Sequence, residues 1–392
     1  MRREFYLILI IFLLVLTYIF IPTEEGIKEK EVKEKRAVFV SYIELGNYLR
    51  GRNVKEIKEN INTIVNKASD FGFNMLILQV RSFSDAIYPS SVFPSSKTVV
   101  NKEGDELPFD ILDYFIKICH SKSIELHAWI NPYRISIDTN INNISSNNPA
   151  YKLLNTDAIQ IINKVGIYYN PASKEVLDLI LDGVREIIKN YDVDGIHFDD
   201  YFYPKSDNID RNQYNMAIKS DPNLSLQDFR LNVISSLIKE TYDLIKKYDK
   251  TILFGISPDG NIDNNYKSNY VDTKLFCTKD GYLDYIMPQV YYGFLNSVKP
   301  FEETVKSWNQ LITNDIKLIP ALAFYKTGNV DNYAKEGSNE WILYNNIIAR
   351  EVLFSRKLSR YNGFAIFRYD SLFNENLTEI SFIEKENLKN IL

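Results

Sequence analysis

The sequence predicts an α/β protein, a (β/α)8 TIM barrel preceded by an N-terminal membrane-anchor helix. Three observations carry that prediction. Eight short apolar runs alternate with longer stretches of helical periodicity, the pattern of repeated strand–helix units with parallel strands. No glycine-rich phosphate turn follows any early run, which argues against a doubly wound open sheet. At the chain start, Arg2 and Arg3 precede Phe5 to Ile21, an apolar run of 17 residues broken only by Thr17.

That first segment, as a helix, reaches most of the way across a thin hydrocarbon layer. Its basic flank places the N-terminus inside and the rest of the chain outside. No small-residue cleavage site follows and no cysteine stands ready for a lipid, so residues 1–21 read as an uncleaved signal anchor in preference to a removed signal peptide. Residues 22–35 are dense in Glu and Lys, lack periodic apolar positions, and read as a charged tether. The barrel is expected over 36–370, with a C-terminal tail over 371–392 packing on it.

The eight runs are AVFVSYI (37–43), FNMLILQVR (73–81), IELHAWINP (124–132), VDGIHFDD (193–200), TILFGISP (251–258), LDYIMPQVY (283–291), KLIPALAFY (317–325) and GFAIFRYD (363–370). Between them, apolar residues recur at helical spacing. Ile57, Ile61, Ile64, Val65 and Ala68 precede the second run; Val176, Leu177, Ile180, Val184, Ile187 and Ile188 precede the fourth. A long polar insertion after the fourth run, residues 201–228, and an Asn-rich one over 138–150 have the length of lids or subsite walls.

Composition narrows the function classes. The 392 residues are 45% hydrophobic and 25% charged, enough apolar material for a sizeable core. Formal net charge is −5, so no basic footprint recommends a nucleic acid as partner. Two cysteines, Cys119 and Cys277, exclude a disulfide scaffold and a cysteine zinc cluster.

The chemistry-bearing residues gather late in the strands. Gln79 and Arg81; His127, Trp129 and Asn131; His197 and Asp199; and Gln289 and Tyr291 are each spaced by two, which puts each set on one face of its strand. A barrel presents the carboxyl ends of its strands to a common mouth, where such sets converge. A carboxylate beside stacking aromatics and amide or guanidinium donors suits a glycan, whose rings have apolar faces and hydroxyl rims. Asp199 is in phase with His197 and should face the interior, whereas Asp200 belongs to the departing loop. Asp85, Asp259 and Asp370 fall just beyond strand ends, and each is also a natural turn or cap residue. Tyr133, Tyr201, Tyr203, Tyr291, Tyr292 and Tyr325 offer stacking platforms. His120 lies in a helical stretch and reads as structural. Neither HxH nor HExxH occurs, so no metal and no cofactor are expected.

The strand-end segments QVRSFSDAIYPS (79–90), ELHAWINPYR (125–134), DGIHFDDYFYP (194–204), FGISPDG (254–260), DYIMPQVYYG (284–293), ALAFYKTG (321–328) and GFAIFRYDS (363–371) together resemble the glycosyl-hydrolase-like family 10 proteins. These are barrel proteins of the bacterial envelope, some of them classed as glycosidases acting on peptidoglycan glycan strands. The resemblance covers about Arg36 to Asp370 and implies a (β/α)8 barrel, an N-acetylated glycan substrate and a site built on DGIHFDDYFYP. Two departures stand out. Asp259 occupies a position expected to be apolar or aromatic. The fourth-strand motif also partly resembles the DGxDxDxE signature of chitinase-type barrels, matched by Asp194, Gly195, His197 and Asp199 but with Tyr201 in place of the final Glu. On a chitinase-like route, Asp199 would orient the substrate's acetamido group and Asp200 or another loop acid would donate the proton.

The expected activity is therefore extracytoplasmic hydrolysis of an N-acetylhexosamine-containing glycan, most plausibly peptide-stripped peptidoglycan, with the N-terminal helix holding the enzyme at the membrane. Asp199 is assigned as nucleophile or acetamido-orienting base, Asp200 as first candidate acid, and His197 and His127 as supports for the reacting ring. Gln79, Arg81, Asn131, Arg134, Gln289 and Arg368 would hold hydroxyl or carboxylate groups, and Trp129 and Tyr291 would stack. Asp85, Tyr133, Tyr201, Tyr203 and Tyr325 complete the expected substrate contacts. Two rivals remain: a non-catalytic barrel that binds wall glycan, favoured by the absent Glu at position 201, and a metal-dependent hydrolase or deacetylase using His127, His197 and Asp199.

Overall fold

Each of the eight apolar runs contributes to a strand of one sheet, and the seventh contributes two. The computed structural model describes residues 34–199, 202–204, 206 and 208–392. The expected anchor helix over 1–21, most of the tether, and the site candidates Asp200 and Tyr201 lie outside the described residues. Among the described residues no helix is long and apolar enough to cross a membrane. In chain order the strands are β1 (Lys35–Val40), β2 (Met75–Arg81), β3 (Glu125–Ile130), β4 (Arg134–Ser136), β5 (Ile159–Ile162), β6 (Gly166–Tyr169), β7 (Gly195–Phe198), β8 (Leu253–Ile256), β9 (Tyr285–Ile286), β10 (Lys317–Leu318), β11 (Ala321–Leu322) and β12 (Gly363–Ile366).

Nine of them form a single parallel sheet in the order β10-β9-β8-β7-β3-β2-β1-β12-β11. Its two ends, β10 and β11, are consecutive pieces of the run 317–322. Pro320 lies between them; lacking an N–H, it cannot donate to a ladder. The first piece pairs with β9 and the second with β12. The sheet therefore curls until both its ends lie in one stretch of chain, giving a TIM-barrel-like wall.

Period-2 alternation sorts the side chains onto two buried faces, which is why the runs read as almost continuously apolar. Ala37, Phe39, Met75, Ile77, Trp129, Tyr285, Met287, Ile319, Ala321 and Ala365 pack together inside the curl. Their neighbours Val38, Val40, Leu76, Leu78, Leu126, Ile196, Phe254 and Ile366 point outward to a second core shared with the helices. The helix Val54–Phe71 starts on a capping box between Asn53 and Glu56 and ends at Gly72 in the left-handed conformation. It buries Ile57, Ile61, Ile64, Val65 and Ala68, the stripe seen in the sequence. The helix Lys174–Asn190, capped by Ser173, buries Val176, Ile180, Val184, Ile187 and Ile188, whereas Leu177 stays half-buried.

The folded body begins slightly ahead of the expected boundary. Lys35 already belongs to β1, and the Glu34 carboxylate accepts hydrogen bonds from Arg36 Nε (2.9 Å), Arg356 Nε (2.8 Å) and Tyr361 Oη (2.6 Å). Burial alone would raise the Glu34 pKa, but its bonds with Arg356, Tyr361 and Arg36 hold it down to about 2. At the other end, the helix Glu379–Lys389 buries Leu388, and its Glu384 caps the helix Ile347–Ser355 by accepting from the Ile347 (2.7 Å) and Ala349 (3.2 Å) amides.

Two features depart from the expected loops. Strands β4, β6 and β5 form a small antiparallel sheet between β3 and β7. The polar stretch 201–228 contains the helix Arg211–Ser220 and the start of a long helix, Leu226–Tyr248. Asp210 and Arg230 pin this region through a buried bidentate pair, with both contacts at 2.7 Å.

Candidate active site

A cavity of about 390 Å³ opens at the carboxyl ends of the main-sheet strands, lined by Phe39, Ser41, Tyr42, Ile43, Gln79, Trp129, Arg134, Asp199, Ser257, Gln289, Tyr291, Tyr325, Phe367 and Arg368. Of the residues selected by strand-end spacing, Gln79, Trp129, Asp199, Gln289 and Tyr291 line it, as do the expected contacts Arg134, Tyr325 and Arg368. Among the described lining residues, Asp199 is the one carboxylate.

Local bonding explains how these side chains are held. At the end of β2, Gln79 accepts from the Tyr42 amide (2.8 Å) and donates to Asn131 Oδ1 (2.7 Å), so one amide ties the tips of three neighbouring strands. Asn131 is therefore buried behind Gln79 and does not itself line the cavity. Trp129 packs its ring edge-on to Phe39, with centroids 5.5 Å apart. Gln289 donates to the Ser257 carbonyl (3.0 Å). Tyr291, Tyr325 and Phe367 form an aromatic wall with centroid separations of 5.7–6.1 Å. Arg134 lies over the Phe83 ring at 4.7 Å and donates through Nε to the Ser82 carbonyl (3.3 Å). Arg368 is paired with the buried Glu44 carboxylate, which also accepts from the Ser41 amide (2.9 Å). Burial raises the Glu44 pKa, opposed chiefly by the Arg368 charge.

The two barrel histidines sit beneath the cavity, fully buried. His197 Nε2 is 3.0 Å from Ser257 Oγ, and its Nδ1 is 2.9 Å from Tyr285 Oη. His127 Nδ1 is also 2.9 Å from Tyr285 Oη. Burial, with the nearby His127, pushes the His197 pKa well below 6.5, so this ring is neutral at neutral pH. His197 and His127, expected to support the reacting ring, do not line the cavity: both are fully buried, and Phe39, which does line it, packs edge-on against His197 with centroids 5.7 Å apart. Three of the four ring nitrogens are engaged by Tyr285 and Ser257, and His127 Nε2 faces Glu125. Among the described residues no group of three His, Cys, Asp or Glu is placed to hold a metal ion.

Several further expected contacts lie elsewhere. Arg81 is in sequence phase with Gln79, but a register shift between Gln79 and Arg81 turns it to the other face. It is wholly buried with its guanidinium 3.7 Å above the Phe93 ring and against Gly183 of the helix Lys174–Asn190. Asp85 is buried in the loop after β2, accepts from the Phe83 amide (3.1 Å), and is pushed by burial up to about 7. Tyr133 is buried in the outer core. Tyr203 donates to Asp210 (2.9 Å) and packs against Arg230 and Tyr270. Asp259 is a turn residue bonded to the Asn261 amide (2.7 Å), and Asp370 accepts from Tyr48 Oη (2.9 Å).

Phe39, Ser41, Tyr42, Ser257 and Phe367 also line the cavity and were not among the expected site residues. A signal for most of them was present. Phe39 and Ser41 share the phase of Ala37 on β1, and Ser257 lies two residues beyond Gly255 on β8, the same spacing that selected the other strand-end sets. Serine hydroxyls and phenylalanines carry less chemical contrast than Trp, His or Arg, so the pattern is less visible. The assembled cavity offers a carboxylate, two amides, two serine hydroxyls, two guanidinium groups and an aromatic wall, equipment for gripping the faces and hydroxyls of a polyhydroxylated ring.

Residues 34–339 match the family model described as glycosyl hydrolase-like 10. The glycosyl hydrolase YngK of Bacillus subtilis strain 168 is 29% identical over 367 residues, covering 88% of this chain and 69% of its own. The glycosyl hydrolase DigH of Escherichia coli strain K12 is 28% identical over 331 residues, covering 77% of this chain and 73% of its own. Among solved structures, the PgaB (BpsB) glycoside hydrolase domain from Bordetella bronchiseptica is similar with a TM-score of 0.61 at 12% identity, covering 91% of this chain and 98% of that domain. At that identity the likeness is one of fold.

Proposed function

Because the chain belongs to the glycosyl hydrolase-like 10 family, as its strand-end motifs indicated, we propose that it is a glycoside hydrolase acting on an N-acetylhexosamine-containing glycan, with peptide-stripped peptidoglycan as the substrate. The observation that carries this reading is the placement of Asp199 as the one carboxylate among the described residues lining an aromatic-walled cavity. Asp199 acts there as nucleophile or as the base that orients the acetamido group, and Asp200, next in sequence, is the first candidate acid. Gln79, Gln289 and Ser257 hold hydroxyl or amide groups, while Trp129 and Tyr291 take the ring faces. Residues 1–21 anchor the enzyme on the outer side of the membrane, against the polymer it cuts.

The experiment is digestion of purified, peptide-free glycan strands by the protein and by Asp199→Asn, with new reducing ends counted by mass spectrometry. The variant should fold normally and lose most product formation; undiminished cleavage removes Asp199 from the reaction. A second reading, a barrel that binds glycan without cutting it, is supported by Tyr201 standing where chitinase-type barrels carry their acid. That reading expects retention of the glycan with no fragments from either protein.

A further inference from the structure

The inside of the sheet holds an unbroken line of polar groups from one end of the strands to the other. At the cavity floor is Ser257 Oγ, then His197, whose Nε2 is 3.0 Å away; then Tyr285 Oη, 2.9 Å from His197 Nδ1; then His127, whose Nδ1 is 2.9 Å from the same oxygen. Beyond it, His127 Nε2 lies 3.8 Å from Glu125 Oε2, and the other Glu125 oxygen is paired with Lys35. Gly195 and Gly255 make room for this line. A Cβ at Gly195 would come within 2.3 Å of His127 Nδ1, and one at Gly255 within 2.2 Å of the Tyr285 ring.

The chemistry of the links leaves only two proton arrangements for neutral rings. Tyr285 has one hydroxyl proton and two imidazole Nδ1 atoms in reach, so it donates to one and accepts from the other. The two histidines must then be opposite tautomers. In the first arrangement, His197 donates from Nδ1 to Tyr285, Tyr285 donates to His127 Nδ1, and His127 carries its proton on Nε2, toward Glu125. In the second, every bond reverses and a bare His127 lone pair faces a carboxylate oxygen. When ionised, Glu125 can only accept. Burial raises its pKa, but the neighbouring His127 and Lys35 outweigh that and hold it down to about 2. Both facing atoms, Glu125 Oε2 and His127 Nε2, are buried without another hydrogen-bond partner among the described residues. At 3.8 Å the two atoms are close enough for charge to decide which face of the ring is protonated.

We propose that Glu125 acts as a remote positioning residue: through His127, Tyr285 and His197 it fixes the tautomers of both rings and commits the Ser257 hydroxyl proton to His197 Nε2. Ser257 Oγ then offers the cavity lone pairs alone. It accepts from a ligand N–H or O–H and does not donate. The ligand step rests on the glycan reading, where the acetamido N–H or a ring hydroxyl is the donor; the tautomer step does not.

The test is long-range proton–nitrogen correlation NMR on the full-length, 15N-labelled protein, whose three histidines make assignment direct once His120→Gln removes one set of signals. The expected result is His127 protonated at Nε2 and His197 protonated at Nδ1 at neutral pH. Equal tautomers, the reverse pair, or two protons on either ring overturn the proposal. In Glu125→Met both rings should drift together toward mixed tautomers, and a spectrum unchanged from the parent protein also overturns it. A glycan that fails to bind would sink the proposed substrate while leaving these signals as they are. With a bound glycan, Ser257→Ala should raise KM several-fold and leave both tautomers in place.

Discussion

Gln79 and Arg81 are two residues apart on one strand yet face opposite sides of the sheet, because the register between β2 and β3 shifts between them. Gln79 lines the cavity, and Arg81 is wedged between Phe93 and Gly183 in the outer core. One substitution in each position separates their roles. Gln79→Ala loses two hydrogen bonds at the cavity wall and should weaken glycan affinity about tenfold, the equivalent of about 1.4 kcal/mol. Arg81→Met should leave affinity within about twofold and show its effect in thermal unfolding. Binding isotherms beside melting curves decide this; a large affinity loss in Arg81→Met would return Arg81 to the site.

Asp85 predicts a stability change between mildly acidic and neutral pH. Burial pushes its folded-state pKa up to about 7, above its ordinary value of 3.8, so the folded chain holds a proton that the unfolded chain has released. The native state is therefore favoured at low pH by this group and loses that advantage as pH rises from about 4 through about 7. Asp85→Asn, which cannot ionise, should stabilise more at pH 8 than at pH 5, by roughly 1–3 kcal/mol. Denaturant titrations at the two pH values measure it. An equal effect at both would mean that the carboxyl is ionised in the fold.

His197 works in the opposite direction. Its pKa is depressed by burial and by His127, so the unfolded chain takes up a proton below about 6.5 that the native ring refuses. Stability from this group is complete above that pH and falls on acidification, by at most about 1.4 kcal/mol per pH unit. The His197 ring signals should stay constant from pH 8 to pH 5. Any acid limb in the activity profile then belongs to carboxyl groups. A His197 resonance titrating near 6.5 would contradict this.

How far the sequence reached can be judged from these same residues. Every strand of the nine-stranded sheet was legible because both of its faces are buried, leaving apolar runs such as MLILQV that stand out from their helical surroundings. Cavity residues on regular strands, such as Trp129 and Asp199, followed from spacing by two. Arg81 did not, since the extra residue at the β2 register shift is invisible to a period count. Asn131 and His127 kept their phase but lie behind Gln79 and below Trp129, and depth within a stack of side chains leaves no mark on periodicity. The small sheet of β4, β5 and β6 was hidden by its short strands, of three or four residues each, inside an Asn-rich surrounding.

Depth also separates two aromatic residues of the cavity, which gives a last prediction. Trp129 is 5% exposed and packs on Phe39, so it serves the core and the cavity together. Tyr325 is 42% exposed at the rim and touches Tyr291 and Phe367 edge-on. Trp129→Ala empties a space inside the curl and should cost about 3–5 kcal/mol of folding stability along with binding. Tyr325→Ala removes a ring at the exposed rim, so stability should move by no more than about 0.5 kcal/mol. Its loss should appear in glycan affinity, which falls several-fold if the ring supplies a stacking face worth about 1 kcal/mol. Melting curves and glycan binding on the two variants resolve the difference. If Tyr325→Ala binds glycan as the parent does, the polymer does not cross that side of the mouth, and Trp129 and Tyr291 must carry the stacking alone.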